Sequence, residues 1–501
     1  MSGVDVLAPT GLTISHLVFA AGVLAATALV WWNFYVLFLD PLRDVPGPFW
    51  ARWTRLWLLN EISSGQSHLT FPKLHDQYGP VVRITPDLYS FNSPEDQKKI
   101  YKLKDPLAKT AYYETGGDPG VPNIFTICDE KEHSDRRRRI ASLYTMTSMV
   151  HYEEPVDRMN ALCVKKFEQF AKQKKRVNIP QFMQYYAFDV IGEISIDSSF
   201  GMMENEGDVD NMVKIAHSAA VYQGHVGIVP EIHPLFFQLR KMLGYLNGGS
   251  ATQDLVNRQL ENHHQALKAE KTDPKQEPFI TKILKLKDSG KVDDLHIFDA
   301  IGGNLAAGSD TTGITLAAVF YYLYRNPDKL ATLRREIDDG AAVGEVSDPV
   351  TFKEAQNLQY LGAVIEETLR IHSAAGYILE RTVPKGGVEL ASRFFPEGTH
   401  VGCQSWALHR NKEVYGADAD EFRPERFLEE GNPATTVASF AFGGGTRACI
   451  GKNISLLELS KVIPQIVRRF DLVFVDEKPW ELYTSWFVFA RYSCEVRLRG
   501  E

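Results

Sequence analysis

Cys449 stands near the end of the segment Phe442-Gly-Gly-Gly-Thr-Arg-Ala-Cys-Ile-Gly451, a glycine-rich stretch directly ahead of an apolar helical pattern. The spacing is Phe-x-x-Gly-x-Arg-x-Cys-x-Gly. A cysteine at a helix start faces backbone N–H groups and the positive end of the helix dipole, which favour thiolate over thiol. Glycines adopt angles that a side chain forbids and let the main chain pass close to a flat ligand. No second Cys or His lies near this cysteine in the sequence, so the four ligands of a zinc site are not at hand. A single thiolate suits a metal that already carries four equatorial ligands, and haem iron is such a metal.

Three further spacings fall in order along the chain. Glu367-Thr-Leu-Arg370 sets an acid and a base three apart, on one face of a helix expected over 357–372. Phe422-Arg-Pro-Glu-Arg-Phe427 follows and contains Arg426. Ala307-Gly-Ser-Asp-Thr-Thr312 lies inside an apolar stretch over 295–324. As a helix of ~30 residues that stretch would be ~45 Å long, enough to cross a large domain. Its composition calls for burial on nearly all sides, and Gly308-Ser309 is a place where its hydrogen-bond ladder can open. Asp310 and Thr311 in such a setting must be hydrogen-bonded or used. The plainer alternative bonds both threonine hydroxyls back to carbonyls one turn earlier, with Asp310 in a structural hydrogen bond.

In this order and spacing the motifs resemble those of the cytochrome P-450 monooxygenases, over about residues 44–498. The resemblance implies a mainly α fold with small β-sheets, preceded here by one N-terminal transmembrane helix, and haem b (iron protoporphyrin IX) as cofactor. It implies Cys449 as the iron's proximal ligand, in the loop headed by Phe442. Asp310 and Thr311 fall on the family's acid–alcohol pair, which relays protons for oxygen activation. Glu367, Arg370 and Arg426 fall on its buried charge network, which fixes the cysteine loop. Haem propionates need cationic or hydrogen-bonding partners, and Arg447 and Arg381 are candidates. His133-Ser-Asp-Arg-Arg-Arg-Arg139 matches the family's Trp-x-x-x-Arg element at His133 and Arg137, with His where Trp is usual. Histidine still donates a hydrogen bond. Four consecutive arginines spread around a helix, so at most two face inward; the others meet solvent or an acidic redox partner.

The chain of 501 residues is 44% hydrophobic with formal net charge −8, ample for a large core and without the basic balance of a nucleic-acid binder. Its five cysteines (128, 163, 403, 449, 494) are odd in number and scattered, which suits a reducing compartment rather than a disulfide framework. Residues 17–39 carry no charge, enough for a bilayer span. Trp31, Trp32, Tyr35 and Phe38 gather at its end like an aromatic belt, and Arg43, Arg52 and Arg55 follow. The positive-inside rule then leaves the bulk of the chain in the cytosol. The basic start and short apolar core of a cleaved signal peptide are both missing. Three parts are expected: an anchor over 1–40, a proline-rich hinge over 41–50 and a catalytic domain over 51–501. The sequon at Asn453 falls in an expected helix on the cytosolic side and is not expected to carry a glycan. Helices should dominate 94–372, with strands at 81–85, 88–91, 388–391, 399–403, 472–475 and 495–498 and a polar loop at 271–278.

The implied reaction inserts one oxygen of O2 into a lipophilic small molecule, as hydroxylation, epoxidation, demethylation or desaturation. The family-like span leaves no room for an FMN or NADPH domain. Electrons would come from NADPH through NADPH–cytochrome P-450 reductase, with cytochrome b5 as an alternative donor, at the endoplasmic reticulum membrane. Segments 103–127, 181–246, 373–379 and 484–489 should wall the pocket, and their Tyr112, Tyr113, Phe182, Tyr377, Trp486 and Phe487 suit an apolar ligand. Tyr78-Gly-Pro-Val-Val-Arg-Ile84, Phe91-Asn-Ser-Pro-Glu95 and Val383-Pro-Lys-Gly-Gly387 are similar to segments of fungal secondary-metabolism members, including pisatin-demethylase-like enzymes. Two rivals are a haem-thiolate isomerase or dehydratase that needs no O2, and a non-catalytic haem binder. The pair Asp310-Thr311 argues against both.

Overall fold

The computed structural model describes residues 14–244, 278–437 and 439–500, with 257, 258, 260–262 and 265 between them. The polar loop expected at 271–278 lies, apart from Pro278, outside the described residues. Eight helices bear on the site: α1 (Ile14–Phe34), α2 (Glu130–Ile140), α3 (Glu153–Gln173), α4 (Ile179–Ile196), α5 (Met212–Val226), α6 (Gly303–Arg325), α7 (Gln359–Ile371) and α8 (Lys452–Arg469). Local chemistry sets their starts. Asp129 caps α2 by accepting the Glu132 N–H, and Asn178 caps α4 by accepting the Gln181 N–H.

The strands are short: β1 (Val81–Arg83), β2 (Leu88–Phe91), β3 (Arg176–Asn178), β4 (Arg381–Thr382), β5 (Val388–Leu390), β6 (Arg393–Phe395), β7 (His400–Cys403), β8 (Phe470–Phe474), β9 (Glu481–Thr484), β10 (Val488–Arg491) and β11 (Ser493–Leu498). They form a four-stranded sheet β1-β2-β7-β4, a three-stranded sheet β3-β11-β8 and the pairs β5–β6 and β9–β10. Every expected strand is present; β3, β4, β6, β9 and β10 were not foreseen, being two to four residues long. Pairing with β7 (Arg381↔Val401) brings Arg381 into the larger sheet.

The central apolar run differs from expectation. A helical turn at Asp294–Ile297 passes through a π-helical turn at Phe298–Gly302 into α6. The irregularity falls at Phe298–Gly302 and not at Gly308-Ser309, where the helix continues and Ser309 donates back to the Leu305 carbonyl. In the π turn, buried Asp299 accepts the Ile124 N–H and meets Arg136 at 3.4 Å, contacts that tie the turn to α2 and to the chain ahead of it.

α8 carries a buried acid that none of the motifs include. Glu458 is 1% exposed, both of its carboxylate oxygens lack a hydrogen-bond partner, and burial pushes its pKa well above the usual range. A carboxyl raised on folding contributes fully below its unfolded pKa of ~4.3, and that contribution is lost as pH climbs towards the folded value. Glu458→Gln should therefore raise the melting temperature at pH 8, on the order of 2 °C per kcal/mol recovered, and leave it unchanged at pH 4. Equal gains at both pH values would show that the charge is not the cause.

The run Ser15–Leu39 is long and apolar enough to cross a membrane. Its far end is fastened to the body of the protein. Trp32 donates its indole N–H to the Trp53 carbonyl, and the Trp53 indole donates to Asn33. Asp40 forms an ion pair with buried Arg83 at 2.6 Å, and Leu42 and Val45 pack with Tyr89 and Phe91.

Candidate functional site

The cysteine loop is shaped by its glycines. Gly445 has φ +65°, and a Cβ there would lie 2.7 Å from the Tyr101 carbonyl oxygen. A turn at Gly445–Arg447 leads to Cys449, whose N–H donates to the Phe442 carbonyl at 2.9 Å, and α8 begins three residues later. Phe442 is half-buried, with the Lys452 ammonium over its ring. The thiol meets backbone N–H groups of Gly451 and Lys452, as the helix start requires, but burial outweighs them and raises its pKa. The expectation that the helix start alone favours thiolate is thus corrected, because desolvation penalises a charge more than two N–H groups repay. A coordinating metal ion removes that proton outright.

Cys449 is accessible by area and yet desolvated. In the middle of α6, Ala306 and Ala307 are likewise exposed and Gly308 and Thr311 half-exposed, while Leu305, Ser309, Asp310 and Thr312 are buried. α6 and α8 meet at Thr312 and Ser455, whose hydroxyls are 3.3 Å apart. An accessible run of small residues on α6 and an accessible sulfur ahead of α8 fit a flat metallocycle.

Cations gather around the same place. Arg447 donates to the Ile127 and Cys128 carbonyls and pairs with Glu130 at 2.7 Å. Arg381 is 4% exposed and donates to the Glu380 carbonyl. His133 is 3% exposed, with an unpartnered Nδ1; burial and the charges of Arg447, Lys109, Arg137 and Arg381 push its pKa down to about 3. Arg137 is half-buried, and its charge reaches Cys449. Lys109 joins them unforeseen. It is buried, its ammonium donates to the Phe125 carbonyl, and burial together with Arg381 and Arg447 holds its pKa well below the usual range. No local pattern marks Lys109; an antiparallel bridge to Arg381 brings it in. Three arginines and a lysine share this region with Glu130 paired to Arg447, and a dicarboxylate such as haem would balance the charge that is left. Within the arginine run, Arg136 pairs with Glu132 and Asp299, whereas Arg138 and Arg139 are exposed.

Behind the loop lies a buried charge cluster. Arg370 forms a two-bond ion pair with Glu367 at 2.7 and 2.8 Å, and Arg426 reaches Glu367 at 3.1 Å. Arg370 also donates to the His409 and Ala419 carbonyls. His409, held neutral by burial with its pKa pushed down to about 3, accepts the Phe440 N–H at 2.9 Å. That bond connects the cluster to the segment entering the cysteine loop.

On α6, Thr311 donates its hydroxyl to the Ala307 carbonyl at 2.7 Å, whereas Thr312 faces Ser455 rather than the preceding turn. Asp310 is 1% exposed and accepts a hydrogen bond from Gln184; burial raises its pKa to about 6. Of the expected wall aromatics, Tyr112 stacks on Tyr377 at 4.5 Å and on Trp486 at 5.4 Å, with Tyr113 edge-on. Trp486 also meets Phe487. Phe182 does not join them; it packs against Phe167 and Phe170 in the main core, because α4 turns that face inward. The Asn453 amide nitrogen donates to the Tyr144 carbonyl within α8, which leaves it engaged inside the fold.

The cytochrome P-450 family profile matches residues 45–496. The chain belongs to the cytochrome P-450 family. A pisatin demethylase of Fusarium vanettenii is 39% identical over 478 residues, covering 93% of this chain and 91% of the relative. A cytochrome P-450 monooxygenase of Penicillium aethiopicum is 34% identical, covering 94% and 96%. A cytochrome P-450 crystal structure at 17% identity covers 91% of this chain and 98% of its own with a TM-score of 0.76, which shows the shared fold. This cytochrome P-450 is accordingly a haem-dependent monooxygenase, an oxidoreductase related to fungal secondary-metabolism enzymes. Its family uses O2, a redox partner and lipophilic substrates.

Proposed function

We propose that this chain is a membrane-anchored monooxygenase of the endoplasmic reticulum, with Cys449 as the thiolate that holds haem iron. The anchor is 1–40, the connection 41–50 and the catalytic domain 51–501. The observation that carries the reading is an accessible yet desolvated Cys449 sulfur in the glycine-rich loop, with Lys109, His133, Arg137, Arg381 and Arg447 gathered nearby. Bound haem supplies oxygen activation and electron transfer. Arg137, Arg381, Arg447 and Lys109 as cations, and His133 as a neutral hydrogen-bond donor, would hold the propionates and so fix the orientation of the ring. Glu367, Arg370 and Arg426 keep the cysteine loop in place through His409 and Phe440. Asp310 and Thr311 deliver protons to the oxygen-activating side: Asp310 carries the proton at its carboxylate and Thr311 passes it on from its Oγ1. The aromatic group of Tyr112, Tyr377 and Trp486 excludes water and favours a lipophilic metabolite.

Electrons come from NADPH through NADPH–cytochrome P-450 reductase, with cytochrome b5 as an alternative donor. Relatives named as demethylases make oxidative demethylation the first reaction to assay. Full-length protein in microsomes with that reductase, reduced and treated with carbon monoxide, should show the red-shifted Soret band of a thiolate ligand. It should also oxidise members of a panel of methoxylated aromatics, pisatin included, only when NADPH is present. A normal band with turnover independent of NADPH would move the assignment to an isomerase.

A further inference from the structure

Among the described residues Asp310 has one side-chain hydrogen-bond partner outside its own helix, Gln184, and the way the two helices meet explains how that partner is held. Glycines flank the acid on α6. A Cβ at Gly313 would lie 2.8 Å from the Gln184 Cα, and one at Gly308 would lie 3.1 Å from the Ile191 side chain. Gly313 admits α4 because it is glycine, Gly308 leaves room for Ile191, and the close approach sets the Gln184 amide on the Asp310 carboxylate at 2.5 Å. Asp310 is buried, whereas Gln184 is half-buried and one turn from exposed Gln181.

An amide is the side chain that serves an acid in both of its forms. Its N–H donates to the carboxylate; turned about its last bond, its oxygen accepts the proton of the carboxylic acid. Arginine or lysine could do only the first, and would drag the acid's pKa down. We propose that Gln184 is the positioning residue of the proton relay, the amide that holds Asp310 in one place through both of its protonation states and links it to the solvent side of α4. This rests on the reading that Asp310 carries protons. Burial raises the Asp310 pKa to about 6 and the Gln184 bond opposes the rise. The titratable neighbour that senses Asp310 is Tyr483 on β9; behind it stand Arg491 on β10 and His217 on α5, at the mouth of an open cleft of about 380 Å³.

The test uses the haem-loaded full chain with its reductase and needs no known substrate. The quantities read are the pH dependence of NADPH consumption and of peroxide release, and the titration of the buried carboxyl by infrared difference spectroscopy, assigned by its loss in Asp310→Asn. Gln184→Met keeps length but removes donor and acceptor, and should move the midpoint up by ~1 unit; Gln184→Lys should move it down by at least that. The carbon monoxide spectrum of each variant shows that the haem site is intact. Midpoints within ~0.2 units of wild type in both variants, alongside a flattened profile in Asp310→Asn, would overturn the role of Gln184 and leave the relay standing. A profile unchanged in Asp310→Asn would overturn the relay itself.

Discussion

Cys449→Ala should abolish the red-shifted carbon monoxide band, reduce retained haem by more than ~10-fold and bring NADPH-dependent oxidation to background, while the polypeptide still folds. The separation of these effects follows from where the sulfur sits. Cys449 is exposed, so removal of its sulfur deletes few packing contacts. The loop around it is held by other bonds: the Cys449 N–H to the Phe442 carbonyl, and Arg447 to Glu130 and the carbonyls of Ile127 and Cys128. Neither uses the thiol. Circular dichroism should therefore match that of wild-type protein stripped of haem, while the absorbance spectrum should not match wild type. An alanine variant with a normal band would remove Cys449 from the iron.

The second large effect is on stability. Glu367→Gln removes the one carboxylate that two buried guanidiniums share, with Arg370 and Arg426 at 2% and 0% side-chain exposure. Breaking a buried pair from one side costs about 3–5 kcal/mol, because the partner charge stays behind unpaired. Here two remain, with the carbonyls of His409, Ala419, Glu421, Tyr415 and Asp418 as acceptors and the Asp418 carboxylate at 3.4 Å from Arg426. The expected outcome is poor soluble yield and a much lower melting temperature for whatever folds. Haem should be lost as well, through the His409–Phe440 bond that connects this cluster to the cysteine loop. A variant that melts within ~1 °C of wild type would show the cluster to be dispensable.

The sequence makes one part of this site legible and hides another, for a physical reason. Cys449, Glu367 with Arg370, and Asp310 with Thr311 sit in short segments whose local backbone geometry imposes fixed spacing, so they can be read as strings. Lys109 and Gln184 act across tertiary contacts, through a bridge to Arg381 and a glycine-cut helix crossing, and nothing beside them in the chain announces this. Phe182 shows the opposite error: an aromatic in a segment expected to wall the pocket, yet turned into the core. The helix opening was expected from Gly308-Ser309, but those residues continue the ladder, and the π turn falls where Asp299 is bonded to Ile124 and Arg136. Helices and the short alternating strands β1, β2, β5, β7, β8 and β11 were recoverable from pattern, whereas β4, two residues long, pairs with β7 across the fold.

The fastening of α1 bears on how substrate arrives. Trp32 and Asn33 engage Trp53, and Asp40 is held by Arg83 at the sheet that also contains Arg381. With α1 embedded in a bilayer, such a joint is a splint and not a tether: the tilt of the helix dictates the attitude of the whole catalytic body. The entrance to the interior would then keep a constant height above the lipid, and a greasy metabolite dissolved in the membrane would always find the doorway at the same level.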